Sequence, residues 1–275
     1  MHGDEPNARP YVRVIDLETS GRDATQGGIV EIGWQDVTHT SEGWRLAEGP
    51  HAYLTNPGGP IAPWTTSIHH ITDHDVHDAP PITAVAPNIL RPPARPLAFA
   101  AHRASFEQTW LRALLSPRLM AGTGWICTYK CALRLWPDEP GHSNQGLRYS
   151  RRPAGLEKHL GDPAHRAAPD AYVTAHHLRD MLALAPIEHL LLWSRQPALL
   201  VRVPHGPLRG RLIRALATED LDRLLASPRP IGPDMAFTLR SERARRNLDA
   251  DTPPPSGQLS LPFTKASGMK NSNPL

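Results

Sequence analysis

The chain has 275 residues, 40% of them hydrophobic, with 30 Lys and Arg against 27 Asp and Glu, a net charge of +3 and a pI of about 9.1. This length suits one large domain or one domain with a small appendage, the apolar share supports a sizeable core, and mild basicity is compatible with a nucleic-acid partner without indicating one. The two cysteines, Cys127 and Cys131, exclude a disulfide framework and a four-cysteine zinc site. No apolar run approaches the ~18 residues of a membrane span, and the N-terminus carries Asp4 and Glu5 with no apolar leader, so a reducing, cytoplasmic setting with no membrane partner is expected.

In chain order, residues 1–9 read as a polar lead. Residues 11–17 are β-rich and form a buried strand, residues 29–37 alternate as a second, and residues 44–54 supply a third after a polar turn, so three neighbours make a meander. Residues 57–96 are proline-dense and turn-rich, with a short helix near 64–70. Residues 96–101 are another buried strand, and Ser105 is placed to cap a helix through Leu115. A short strand at 124–128, a helix at 129–136 and a polar loop at 137–150 follow. Residues 166–184, with Ala171, Leu178, Met181 and Leu182 at helical spacing, predict the longest helix. The alternation implies an α/β fold with a mixed sheet spanning residues 10–186.

Residues 187–248 hold eleven arginines against six acidic residues and read as a small basic module with a strand at 199–203 and helices near 218–226 and 234–247. Residues 249–275 have the composition of a disordered tail.

Three runs carry candidate chemistry. Asp16 and Glu18 sit two apart on the first strand, so their side chains share a face. Two like charges there are costly unless a cation lies between them, and hard oxygen ligands select Mg²⁺ or Mn²⁺ over zinc; the ordinary alternative is a solvated strand end. Glu107 follows a buried strand and opens a helix, where an acid could equally be serving the helix dipole. His165 and Asp170 straddle a loop-to-helix junction, where either could be a cap.

Taken together, the runs Asp16-Leu17-Glu18-Thr19, His102-Arg103-Ala104-Ser105-Phe106-Glu107 and His165-Arg166-Ala167-Ala168-Pro169-Asp170 resemble the three motifs of the DEDDh family of 3′→5′ exonucleases, in the family's order. The resemblance covers about residues 11–184 and implies a ribonuclease H-like fold. Ile68-His69-His70-Ile71-Thr72 resembles the segment before the second motif in proofreading members. The run Trp125 to Lys130, then Arg134 to Pro137 and Ser143-Asn144, is most similar to the bacterial exodeoxyribonuclease X-like group.

This resemblance implies two-metal phosphodiester hydrolysis that releases nucleoside 5′-monophosphates from 3′ ends. Asp16 would bridge two Mg²⁺ or Mn²⁺ ions, Glu18 and Asp170 would share the ion that activates water, Glu107 would hold the other, and His165 would act as general base. Leu17, Thr19, His102 and Phe106 would surround the terminal nucleotide. The chain departs from the family pattern twice. Glu107 stands where the family has Asp, and Arg103 where it has Asn; Arg103 could grip phosphate or face solvent.

In the tail, Gln258-Leu259-Ser260-Leu261-Pro262-Phe263 resembles the peptide by which bacterial DNA polymerases and repair proteins dock on the sliding clamp, with Leu259, Leu261 and Phe263 as apolar anchors and Gln258 as the polar end. A role for the basic module in holding duplex is sequence-blind and salt-sensitive by nature. Three functions are consistent with the residues: a DNA 3′→5′ exonuclease in repair or end processing, an RNA-trimming relative with the same acids, and a catalytically weak DNA- or clamp-binding adaptor, which Glu107 and Arg103 would favour.

Overall fold

The structure, a computed structural model, describes residues 9–227 and 230–251. The elements run β1 (Tyr11–Thr19), β2 (Ile29–Thr40), β3 (Gly43–Leu46), β4 (His51–Leu54), α1 (Pro63–His69), α2 (Asp73–Val76), α3 (Ile82–Leu90), β5 (Ala98–Ala101), α4 (Ser105–Leu114), α5 (Pro117–Met120), β6 (Gly124–Cys127), α6 (Thr128–Leu135), α7 (Asn144–Arg151), α8 (Ala167–Leu184), α9 (Ile187–Arg195), α10 (Thr218–Leu225) and α11 (Pro233–Asp251).

Six strands form one mixed sheet in the order β3-β2-β1-β5-β6, with β4 also paired to β2. β2 runs antiparallel to β1, and β5 runs parallel to both β1 and β6. β1 is central, and its period-two alternation feeds two cores. Val12 and Val14 pack with Ala171, Ala175, Leu178 and Met181 of α8. Ile15 and Leu17 pack on the opposite face with Ile89, Phe99, Trp110 and Leu111. Asp16 and Glu18 continue the Val12–Val14 row, so parity alone turns both carboxylates toward the α8 side.

The segment expected as one strand at 44–54 is two. β3 pairs with the Val37–Thr40 end of β2 and β4 with its Glu31–Trp34 end, and the chain leaves the ladder between them around Pro50, which has no N–H to give. The proline-dense stretch contains α3, whose Ile82, Ala86, Ile89 and Leu90 are buried at helical spacing despite Pro87. Ser105 is not the cap of α4. Ala104 already has helical backbone angles and holds the cap position, so Ser105 is the first helical residue.

The polar loop expected at 137–150 contains α7, capped by Ser143, whose Oγ accepts from the Gly146 N–H at 3.0 Å. The strand expected at 199–203 reduces to a single bridge between Arg202 and Leu212. α11, at 19 residues, exceeds α8 at 18. Ile187–Arg195, grouped by composition with the basic module, instead places Leu190 in the main core beside Ile126 and Cys131. A separate apolar cluster of Val203, Ile213, Leu216, Leu221, Met235 and Leu239 forms beyond it. Both cysteines are buried and free. No described helix is long and apolar enough to cross a membrane. Gln258, Leu259, Leu261 and Phe263 lie outside the described residues.

Candidate active site

The C-terminal end of β1 faces the first turns of α8, and this approach is made possible by β2. Gly33 lies opposite Asp16 in the ladder. A Cβ at Gly33 would come 2.3 Å from the Ala167 carbonyl carbon, so only glycine admits the helix here. Two residues earlier, buried Glu31 anchors the same helix end. Its carboxylate accepts from Arg166 Nη2 at 2.6 Å, Arg166 Nε at 3.0 Å and the Ala167 backbone N–H at 2.8 Å. A carboxylate at the first free N–H groups of a helix satisfies donors that have no partner within the helix.

Asp170, in the first turn of α8, is thereby carried to β1. Oxygens of Asp16, Glu18 and Asp170 lie within 4.8 Å of one another. Two unit charges at that distance repel by about 3.5 kcal/mol at an effective dielectric of ~20, so three carboxylates cannot all ionise here without a counter-charge. Burial, followed by Asp170, Glu18, Glu107 and Glu31, holds the Asp16 carboxyl well above the usual carboxylate range. Glu18 is pushed up to about 8 by burial and then by Asp170 and Glu31, with Arg166 opposing.

Asp170 is oriented by donors that surround it. Gln145 Nε2 reaches Oδ1 at 2.7 Å and Asn144 Nδ2 at 3.2 Å, while Oδ2 accepts the His165 N–H at 2.8 Å. The five-residue offset between His165 and Asp170 therefore has a local cause, since the carboxylate caps the turn that presents the histidine. His165 sits at φ 61°, a left-handed conformation uncommon outside glycine, and its ring is exposed at the cleft. Gln145 is itself fixed by Arg148, whose Nη1 also donates to Gly161 O at 2.6 Å and Asp162 Oδ1 at 2.8 Å.

Glu107 is 3% exposed and lines the same cleft, but it stands outside the 4.8 Å group. Among the described residues its Oε2 has no hydrogen-bond partner, and burial, with Glu18 adding, pushes the carboxyl up to about 8. An orphaned buried carboxylate oxygen beside a set of carboxylate donors fits a divalent cation.

The cleft, of about 560 Å³, also takes in Leu17, His102, Arg103, Phe106, Ser143, Asn144 and Gln145. His102 has both ring nitrogens engaged inside the protein: Nε2 donates to the His142 carbonyl at 2.9 Å and Nδ1 meets Thr128 Oγ1 at 3.1 Å. It therefore forms part of the wall and has no ring nitrogen free for a ligand. Arg103 is exposed, its guanidinium 4.3 Å from the Tyr129 ring centroid. A neighbouring hollow of about 240 Å³ is lined by Leu17, Thr19, Trp64, Ile68, His69 and Phe106.

The motif reading thus brought together Asp16, Glu18, Asp170, His165 and Glu107 in one cleft. It missed Glu31, Gly33, Asn144 and Gln145. A charged residue between the buried Val30 and Ile32 was the available signal for Glu31, and the Ser143 cap was the signal for the helix that carries Asn144 and Gln145.

A mixed sheet with carboxylates gathered at the end of its central strand defines a ribonuclease H-like nuclease fold. Residues 14–178 match the family described as "Exonuclease". Exodeoxyribonuclease 10 of Escherichia coli K12 is 33% identical over 234 residues, covering 83% of this chain and 97% of that protein. Among solved structures, Exonuclease X in complex with 5′ overhanging duplex DNA superposes with a TM-score of 0.50 at 33% identity, covering 66% of this chain and 99% of that one. E. coli Exonuclease I in complex with a dA16 oligonucleotide superposes at 0.51 with 15% identity, covering 67% and 43%, which is a likeness of fold alone. The chain belongs to the exonuclease family and is a hydrolytic exonuclease.

Proposed function

We propose that the protein is a metal-dependent 3′→5′ exonuclease that removes nucleoside 5′-monophosphates from DNA 3′ ends. The observation that carries this reading is the convergence of Asp16, Glu18 and Asp170 oxygens within 4.8 Å at the base of a cleft rimmed by His165. DNA as substrate is supported by the E. coli relative, named as an exodeoxyribonuclease, and by the duplex bound in the Exonuclease X structure.

Asp16, Glu18 and Asp170 are the residues that would hold Mg²⁺ or Mn²⁺, with Glu107 offering its free Oε2 to a second ion. When bound, the pair of ions supplies Lewis-acid charge that makes water acidic near neutral pH and offsets negative charge building on phosphoryl oxygens. A ring nitrogen of His165 takes the proton of the attacking water, a task suited to an imidazole. Leu17, Thr19 and Phe106 border a hollow wide enough for a terminal nucleobase, with Leu17 and Phe106 giving it apolar walls. His102, tied to Thr128 and His142, forms part of the wall of the acidic cleft. Asn144 and Gln145 keep the Asp170 carboxylate turned into the cleft.

The test is digestion of matched single-stranded DNA, duplex DNA and RNA, labelled at the 5′ end, with and without Mg²⁺. Stepwise shortening of DNA that depends on Mg²⁺ and vanishes in Asp16→Asn is expected. Preferred shortening of RNA would transfer the reading to an exoribonuclease, and binding of DNA with no turnover would leave the adaptor reading in its place. The segment 258–263, outside the described residues, is proposed as a docking peptide for a bacterial sliding clamp on its sequence alone.

A further inference from the structure

Glu18 and Glu31 oppose each other across the β1–β2 ladder. Directly opposed side chains have Cβ atoms about 4.5–5.5 Å apart, where like charges repel. Burial, Asp170 and Glu31 push the Glu18 carboxyl up, and Arg166 opposes them. Arg166 is in turn kept cationic against burial first by its Glu31 hydrogen bonds and then by the charges of Glu31, Glu18 and, last, Asp75. Asp75 is already occupied by Thr72, whose N–H donates at 2.8 Å and whose Oγ1 donates at 2.7 Å. Arg166 therefore stands between two acids that could take it, Glu31 and the metal-ligand candidate Glu18.

It is given to Glu31. Nη2 meets one carboxylate oxygen at 2.6 Å and Nε the other at 3.0 Å, the two-pronged geometry that makes an Arg–carboxylate pair strong. The two side chains differ in freedom: Glu31 is 5% exposed and Arg166 35%. Arg166 also leaves the chain at the N-cap of α8, in extended backbone, on a long rotatable stem beside His165. Satisfying the Ala167 N–H takes only the Glu31 carboxylate, so the head of α8 does not itself call for an arginine. What the arginine adds is a cation beside carboxylates that must keep their oxygens for a metal ion. Closed on Glu18, it would occupy a ligand and place a positive charge where the ion belongs.

We propose that Glu31 is a positioning residue for the metal site, acting through Arg166: it holds the guanidinium off Glu18, so that Glu18 stays open to the divalent cation. The proposal rests on the metal-dependent exonuclease reading above and deepens it. Removing the Glu31 charge then weakens metal binding because Arg166 is released onto Glu18, and removing Arg166 as well restores it. A residue that only anchored α8 would behave differently, since losing both halves of the pair would loosen the helix head at least as much as losing one.

The test is titration of the full chain with Mn²⁺ at neutral pH, the unbound ion being read by its electron paramagnetic resonance signal, with no DNA present. Glu31→Gln is expected to weaken Mn²⁺ binding about tenfold, and Glu31→Gln/Arg166→Gln to bring it back to within about threefold of the parent. Arg166→Gln alone, which removes the cation and spares every carboxylate, should bind Mn²⁺ at least as tightly as the parent. A double variant as weak as Glu31→Gln, or a Glu31→Gln protein equal to the parent, would overturn the proposal while leaving the metal-dependent reading intact. Should Glu31→Gln fail to fold, Arg166→Gln decides: looser binding than the parent would mean that the arginine helps to build the site. A parent protein that binds no Mn²⁺ would overturn both readings.

Discussion

Gly33 and Ala167 are in backbone contact: a Cβ on Gly33 would fall 2.3 Å from the Ala167 carbonyl carbon and 2.4 Å from its oxygen. Because Gly33 pairs with Asp16 across the ladder and Ala167 starts the helix bearing Asp170, this one contact sets the spacing of the carboxylates. Gly33→Ala must lift the head of α8. Overpacking of this kind costs about 1–3 kcal/mol in stability, whereas a misplaced reacting group costs ~10²-fold in rate. Turnover on DNA should therefore fall far more than thermal stability does. Parallel measurement of kcat and of the unfolding midpoint checks this, and a variant with normal turnover would show that the helix head does not set the site.

The acidic cluster predicts how metal and pH interact. Glu18 and Glu107 both titrate at about 8 in the metal-free fold, above the ordinary carboxylate range. Groups whose folded pKa is raised contribute stability that is present below their unfolded pKa, near ~4.3, and lost as pH rises through the folded value. Metal-free protein should thus lose stability as pH rises from ~4.3 to about 8 and level off above it, a loss on the order of a few kcal/mol. Cation binding must displace those protons. The Mg²⁺ concentration giving half-maximal thermal stabilisation should fall as pH rises toward 8.5, and Glu107→Gln should flatten that dependence. Calorimetry at several pH values reads both effects, and a Mg²⁺ midpoint independent of pH would exclude these carboxyls as the ligands.

The fold's central features were legible because they rest on short-range periodicity. Alternation along residues 11–19 and helical spacing in 167–184 mark the two elements that meet at the site, and the acids stood out as charges in apolar runs. What escaped depends on contacts distant in sequence. Glu31 caps a helix 136 residues away, through the Ala167 N–H. α7 buries little besides Leu147 and Arg148, so it carries no apolar stripe and read as a loop, taking Asn144 and Gln145 with it. The charge of α9's neighbours points to the basic module, although Leu190 belongs to the main core. Composition describes a segment's surface, whereas a single buried leucine decides where it packs.

The tail supports a prediction independent of catalysis. In Gln258 to Phe263, three apolar anchors at alternate positions suit an extended peptide entering a groove. Full-length protein should retain a purified bacterial sliding clamp, and Leu261→Ala/Phe263→Ala should reduce retention at least tenfold, about 1.4 kcal/mol or more, without altering digestion of short oligonucleotides. Equal recovery by both proteins would reject the docking role.

Acid sensitivity should arise in part from His176, outside the cleft, alongside His102 and His177, whose pKa values burial also lowers, to about 3 and about 4. His176 is 2% exposed in α8, packs edge-on against Tyr172 at 4.7 Å between ring centroids, and neither ring nitrogen makes a well-formed hydrogen bond, though the Ala154 backbone is within electrostatic reach. Burial, with Arg179 and His177 adding, lowers its pKa to about 3. The folded protein keeps the ring neutral while the unfolded chain protonates it near ~6.5, so stability falls as pH drops from that value toward 3. His176→Phe preserves an aromatic ring against Tyr172 and removes the titration. Its stability advantage should be smallest near pH 8 and should grow by about 1.4 kcal/mol per pH unit below ~6.5. Comparing the two proteins at each pH cancels the contribution of the active-site carboxyls, which both share. Urea unfolding from pH 8 to pH 4 supplies the measurement; a constant difference across that range would mean that the imidazole is not held neutral, and that acid unfolding begins elsewhere in the fold.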